Sequence, residues 1–297
     1  MTNRLELNWK LDGFVDEQRY YCSETPIDLL NLPPPKAILA SDVRAYVDTD
    51  IDEKRYHLLL SSVKNSVEKF GEQVSVWASN KDEFYQQVEL LLLANATSYP
   101  STNIVDRSKY ARAITRSGVS ITNSLVTIDG GAFDYTTTSV VRYLQASVPA
   151  LNTNDFTIEQ FLKVNVNQGT YHRVFLFDTQ ESVSNGALQL QLASDGTTKL
   201  YINDGSIRQV GTSLNPTGNS LRHHCLMRKD GIFYYFLDGV LQSSYDQYKS
   251  YVINKTNFRL GGYSTHTIGY SSSLRITRAV RYNISGFTPP GEMFKTS

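Results

Sequence analysis

Along this chain apolar residues alternate with polar ones far more often than they recur at helical spacing, and the alternating segments predict strands. Leu5, Leu7 and Trp9 stand between polar neighbours, which predicts a half-buried strand with one large aromatic side chain for a core. Arg19–Ser23 predicts a second strand, and the proline-rich stretch Thr25–Pro35 after it cannot enter a sheet interior. Val43–Thr49, Arg55–Val63 and Gln73–Ala78 predict three more. Ser79–Gln86 is short, polar and charged, which predicts a domain boundary with room for a single helical turn.

Val88–Leu93, a near-continuous apolar run of strand size, opens the longer segment. Phe156, Ile158, Leu162, Val164 and Val166 fall on one face of the next long strand, and only Gln160 breaks the alternation. Tyr171–Phe177, Ala187–Leu192 and Lys199–Ile202 follow, separated by Ser-Asn-Gly, Ser-Asp-Gly and Asn-Asp-Gly turns. The pattern is most definite over residues 221–239. Two strands meet there at Lys229-Asp230-Gly231, and a second turn follows at Asp238-Gly239, where Gly accepts the positive φ of tight hairpins. Ile232–Leu237 between them is apolar on both faces, which predicts a strand buried between two layers. Phe258–Gly262 and Leu274–Arg278 predict the closing strands.

Composition agrees with strands throughout. The 297 residues suffice for one large domain or two ordinary ones, and 19 Tyr and 13 Phe against 3 Met favour sheet over helix. A net charge of zero provides no global field to recruit nucleic acid or an anionic membrane. Charge is nevertheless uneven: residues 1–80 carry 9 Lys+Arg and 13 Asp+Glu, a net of −4, and the remainder carries 20 and 16, a net of +4. The two cysteines, Cys22 and Cys225, each lie in a strand-like run and are expected as small buried apolar residues in a chain assembled in a reducing cytoplasm. Met1–Asp12 lacks the apolar core of an export signal, and no run has the length of a membrane-spanning helix.

Two resemblances sharpen this picture. The run His223-His224, apolar strand, turn, apolar strand, Asp238-Gly239 resembles the central hairpin of the laminin-G/concanavalin-A-like jelly rolls of phage tail proteins, with Arg222 where that family usually has Trp. The closing run is similar to the same family and more specific: Leu274-Arg275-Ile276-Thr277, then Arg281-Tyr282, then Phe287-Thr288-Pro289-Pro290. Ser272 and Ser273 stand where the family often has an acidic residue. The likeness covers roughly residues 87–291 and implies a last strand beside the first, followed by an irregular clamp. The first segment resembles a fibronectin type III module, with Trp9 as its core Trp and Tyr56 as its tyrosine-corner residue, but it opens directly on what would be the second strand. Together these imply an all-β chain: a small fibronectin-III-like sandwich over residues 1–79, then a larger concanavalin-A-like jelly roll over 80–297. Without a first strand, Leu5–Trp9 is expected to expose an edge that a neighbouring chain or a second copy covers.

The candidate chemistry is sparse. None of His57, His172, His223, His224 and His266 has metal-site spacing, and His223 and His224 must point to opposite faces of one strand. Glycoside hydrolysis needs two carboxylates flanking the scissile bond, whereas Glu159 is alone in its strand and Asp178 and Glu181 lie at a strand end. A non-enzyme is therefore expected. Calcium is the one candidate cofactor, through Asp129, Asp134 and Asp204 in glycine-rich loops, where ordinary turn chemistry is the competing reading. Tyr245, Tyr248, Tyr251, Tyr263, His266 and Tyr270 flank one strand in a Ser/Thr-rich setting and are the candidate contacts to glycan or protein. The resemblance implies a virion protein assembled in the host cytoplasm and oligomeric there, contacting other tail or baseplate proteins, without nucleic acid or a membrane span. Two roles are expected to compete: a tail-fibre or baseplate-associated adhesin touching host surface glycans, and a purely structural decoration protein of tail or head.

Overall fold

A computed structural model describes residues 5–49, 51–52, 54–78, 82–136, 141–163, 171–178, 184–193, 197–214, 220–262 and 269–296. Among these residues the only helical element is a single 3-10 turn, Tyr85–Gln87, and all other regular structure is strand. The chain divides into two compact units, Met1–Glu83 and Phe84–Ser297, and among the described residues no sheet pairs strands from both.

The first unit contains β1 (Leu5–Asn8), β2 (Glu17–Ser23), β3 (Ala37–Ala40), β4 (Ala45–Asp48), β5 (Lys54–Lys64), β6 (Val67–Phe70) and β7 (Val74–Ala78). β1 and β4 form an antiparallel pair, and the second sheet runs β3-β2-β5-β6 with β7 on the other half of β5. Asn65 and Ser66, at φ 51° and 66°, turn β5 back into β6; the short β6 follows from a tight turn that hydrophobic alternation alone does not signal. Between the sheets, Tyr20, Leu39, Ile51, Tyr56 and Leu58 form a core against Leu5, Leu7 and Trp9. The Trp9 indole N–H donates to Gln18 Oε1 at 2.7 Å, and Gln18 Nε2 donates to the Ala40 and Val43 carbonyls at 2.9 Å, so the polar edge of the indole is satisfied inside the sandwich. Tyr56 Oη accepts from the Asp52 N–H at 3.2 Å and pins the turn ahead of β5.

The second unit contains β8 (Val88–Leu92), β9 (Thr115–Ser117), β10 (Ser120–Thr122), β11 (Ala132–Asp134), β12 (Tyr143–Ser147), β13 (Phe156–Lys163), β14 (Tyr171–Phe177) and β15 (Leu188–Ala193). It continues with β16 (Thr197–Asn203), β17 (Ile207–Leu214), β18 (Arg222–Lys229), β19 (Ile232–Leu237), β20 (Val240–Tyr245), β21 (Asn257–Gly261) and β22 (Tyr270–Thr277). One sheet is ordered β10-β11-β22-β13-β18-β19-β20 with β8 also on β22, and the other β17-β16-β15-β14-β21-β12-β9. The last strand thus lies beside the first, as the closing run implied, with Ile276 opposite Leu90. The two hairpin turns have positive φ at Asp230, Gly231, Asp238 and Gly239.

A single apolar core fills the space between the sheets, from Leu90 and Phe156 to Phe258 and Leu260. The far face of the first sheet is covered as well, which explains the doubly apolar β19. Val280, Tyr282, Ile284 and Phe287 lie on Cys225, Met227 and Phe236, and Phe294 joins Val88, Leu91 and Phe161. Gly239 makes this closure possible, because a Cβ there would stand 1.8 Å from the Phe287 carbonyl oxygen, whereas the Phe287 N–H now donates to the Gly239 carbonyl at 3.0 Å.

Candidate functional site

Strand pairing in the seven-stranded sheet brings one transverse row of side chains to the face turned away from the core. Gln145 stands opposite Arg259, Arg259 opposite Leu176, Leu176 opposite Gln189 and Gln189 opposite Tyr201. The neighbouring row holds Tyr143, Gln191 and Lys199. Gln145 Oε1 accepts from Arg259 Nε at 3.0 Å and from Nη2 at 2.6 Å, and the guanidinium lies 4.0 Å from the Tyr143 ring centre. This fixes Arg259 between an amide and an aromatic face. Gln189 is 0% exposed, yet among the described residues neither its amide nitrogen nor its amide oxygen has a hydrogen-bond partner. Tyr143, Gln145, Gln191, Lys199 and Tyr201 are half-buried around it. A donor–acceptor pair set between a cation and aromatic rings can hold a polyhydroxylated ligand, with hydroxyls to the amide and C–H faces to the rings.

The tyrosines singled out from the sequence are not gathered in one place. Tyr263 and His266 lie outside the described residues. Tyr245 stands across Phe233, Arg228 and Phe156 at one end of β13, whereas Tyr270 is opposite Lys163 at the other, seven residues or about 23 Å away. Tyr245 and Tyr248 pack on the core, and Tyr251 is only 7% exposed. The Tyr251 hydroxyl donates to the Ala187 carbonyl oxygen, lies 3.0 Å from the Asn203 carbonyl oxygen and accepts from the Asn203 N–H, and burial pushes its pKa up to about 12. That tyrosine is a bolt for the loop before β21. It has no face left for a ligand.

The buried carboxylates are equally committed. Glu159, 0% exposed, accepts from Arg275 Nε at 2.9 Å, His223 Nε2 at 3.1 Å and the Tyr282 hydroxyl at 2.7 Å, with Arg281 at 3.5 Å. Burial acts to raise its pKa, but Arg275, His223 and Arg281 outweigh that and hold it well below the ordinary carboxylate range. Asp178 accepts from the Ser184 N–H and hydroxyl. His223 and His224 do face opposite ways: His224 Nδ1 is 2.8 Å from the Tyr235 hydroxyl inside the sandwich, and burial together with His223 pushes its pKa down to about 3. Asp129, Asp134 and Asp204 occupy three separate networks. Asp129 accepts from the Ala94 and Ser273 N–H groups and the Ser272 hydroxyl, Asp134 from Thr136, and Asp204 from Arg208.

Residues 137–277 match the family model Laminin_G_3, the concanavalin A-like lectin/glucanases superfamily. This stretch is a concanavalin A-like jelly-roll domain. It contains every residue of the Gln189–Arg259 row. The crystal structure of HCR/D-Sa-GBL1/C is similar at a TM-score of 0.51 and 10% identity, covering 66% of this chain, which in turn spans about half (49%) of that one. Domain 4 of AbnA, a GH43 extracellular arabinanase from Geobacillus stearothermophilus in complex with arabinotriose, is similar at 0.47 and 14% over 68% of this chain and 95% of its own. The binding domain of Botulinum Neurotoxin DC in complex with SialylT is similar at 0.48 and 11%, over 67% of this chain and 49% of its own. No curated protein matches the sequence. The jelly roll was legible in the sequence, whereas its polar face was carried only by the alternation Leu188-Gln189-Leu190-Gln191, which turns both glutamines away from the core.

Proposed function

We propose that the chain is a non-enzymatic phage virion protein, a tail-fibre or baseplate-associated adhesin whose concanavalin A-like domain contacts host surface glycans through the Gln189–Arg259 row. The fully buried amide of Gln189, without a hydrogen-bond partner among the described residues and in one row with Arg259, carries this reading, because a sugar hydroxyl both donates and accepts and so satisfies both amide atoms at once. The closing run from Leu274 to Pro290, with its likeness to phage tail jelly rolls, supports the virion assignment. The first unit is the attachment module, fibronectin type III-like: a β1–β4 pair faces a β3-β2-β5 sheet, Trp9 is in the core, and Tyr56 ties the turn before β5. A non-enzymatic role is supported by Glu159, whose oxygens are taken up by Arg275, His223 and Tyr282.

The test is binding of the purified chain to host cells and isolated surface polysaccharides, with Arg259→Met and Gln189→Met alongside. Binding that both substitutions weaken, with no release of reducing ends, supports the proposal. Reducing ends released by wild type would overturn the non-enzymatic part. A folded wild type that binds no cell and no polysaccharide returns the chain to the decoration role.

A further inference from the structure

The loop between β2 and β3 has two leucines at its tip. Leu29 is 53% exposed and Leu30 92%. A tight turn fixes them there: Asp28 Oδ1 accepts from the Leu30 N–H at 2.9 Å, Asp28 Oδ2 from the Asn31 side-chain amide at 3.1 Å, and the Asp28 carbonyl from the Asn31 N–H at 3.1 Å. Ile27 and Leu32 on either side pack with Tyr21, Leu59 and Phe70, and Pro26 and Pro33-Pro34-Pro35 stiffen both stems. The leucines are thus held outward in one conformation, so a partner that covers them has little chain entropy to overcome. The same unit has an apolar slot of about 540 Å³, with Leu7, Trp9, Leu58, Leu60, Val74 and Val76 in its lining. Slot and tip adjoin. The Ile27 N–H donates to Gln73 Oε1 at 2.7 Å, and Gln73 stands between Glu72 and Val74, which both line the slot. Leu30 is three residues beyond Ile27, at most about 11 Å along the chain, and at 92% exposure it does not enter the slot of its own molecule.

We propose that two copies of this chain associate about a two-fold axis on this surface, Leu29 and Leu30 of each entering the slot of the other. Three observations select a second copy as the occupant. First, tip and slot lie side by side on one unit, so a two-fold operation that brings one tip to the opposite slot brings the second tip to the first slot as well. The contact is therefore isologous and closes at two copies. Second, the two features are complementary in kind: a rigid apolar knob and an apolar slot large enough to take two leucine side chains. Third, charge agrees. Asp28 is the one charged residue from Thr25 to Pro35, so the knob arrives with a single carboxylate at its base. The rim of the slot holds Lys10 and Lys69 along with Glu6 and Glu72, and neither lysine has a carboxylate partner among the described residues. Either lysine can therefore receive the incoming Asp28 at the edge of the contact, where it fixes orientation more than affinity.

Sedimentation of the full-length chain over a range of concentrations tests this. Wild type is expected to form a dimer. Leu30→Asn, which makes the tip polar, and Val74→Arg, which lays a charged side chain across the slot, are each expected to raise the dimer dissociation constant about tenfold or more. Leu30 and Val74 are both exposed, so neither change opens a cavity in the unit itself. An equimolar mixture of the two variants separates a reciprocal contact from any other. Each variant alone spoils both tip–slot contacts of its dimer. A mixed dimer keeps one of them, with the intact tip of the Val74→Arg chain in the intact slot of the Leu30→Asn chain. The mixture is therefore expected to dimerise more tightly than either variant by itself. A wild type that stays monomeric, a dimer indifferent to both substitutions, or a mixture no tighter than its components would each overturn the proposal. A slot filled by a different protein would give the first of these results, and a head-to-tail chain of copies would overturn it by growing beyond two.

Discussion

Gln189→Met separates the demands of folding from those of binding. Gln189 is fully buried in a central strand and both amide atoms lack partners among the described residues, so folding strips their water without replacing it there. Each such group costs roughly 1–3 kcal/mol. Met keeps the length and flexibility of the side chain and removes both polar groups, while imperfect fit takes back less than about 1.5 kcal/mol. Two such groups less the cost of fit leave an expected gain of about 0.5–6 kcal/mol, read as an upward shift in Tm of roughly 2–4 °C per kcal/mol for a unit of this size. The same change deletes the donor and acceptor offered to a hydroxyl, so glycan affinity is expected to fall about tenfold or more. Thermal denaturation and binding titration on one protein preparation give both numbers. A destabilised variant would mean that the amide is paired in the free protein. A stabilised variant with unchanged affinity would remove Gln189 from the glycan site. Either result refutes the reasoning.

Three further outcomes follow from the same geometry. Glu159→Leu leaves Arg275 buried beside Arg281 without its carboxylate and is expected to cost about 3–5 kcal/mol in chemical denaturation, with earlier proteolytic release of the segment after Arg278; stability within 1 kcal/mol (roughly) of wild type would contradict it. Because His224 is held down to about 3 in the fold against about 6.5 unfolded, its contribution is complete above pH 6.5 or so and is lost as pH falls toward 3, at up to about 1.4 kcal/mol per pH unit; His224→Asn is expected to flatten that decline, and an unchanged profile would count against it. Gly239→Ala forces a Cβ onto the Phe287 carbonyl at a φ of 75° and is expected to loosen the C-terminal covering of the sheet, seen as faster amide exchange from Val280 to Phe287; unaltered protection there would refute the closure role.

Much of the concanavalin A-like fold was legible in the sequence, because the signals that encode it are local. Alternation decides which side chains share a face, so Leu188, Leu190 and Leu192 could be assigned to one side of a strand and His223 and His224 to opposite sides without any partner strand. Asp-Gly turns announced both hairpins, and the run after Leu274 announced a strand that returns to Val88–Leu92. The short β6 and the candidate site were not legible in the same way. Alternation turns Gln145, Gln189 and Arg259 away from the core, but only the pairing of β12 with β21, β21 with β14 and β14 with β15 sets them in one row. That pairing joins residues up to 114 positions apart and is decided by the packing of the whole sandwich. The tyrosines were misleading for the converse reason. Nearness along the chain put Tyr245, Tyr251 and Tyr270 together, but a strand of sheet intervenes, and one hydroxyl turned inward to satisfy buried main-chain groups. Periodicity chooses a face, whereas the neighbours on that face belong to tertiary structure, because strand register is set by long-range burial that no local window contains.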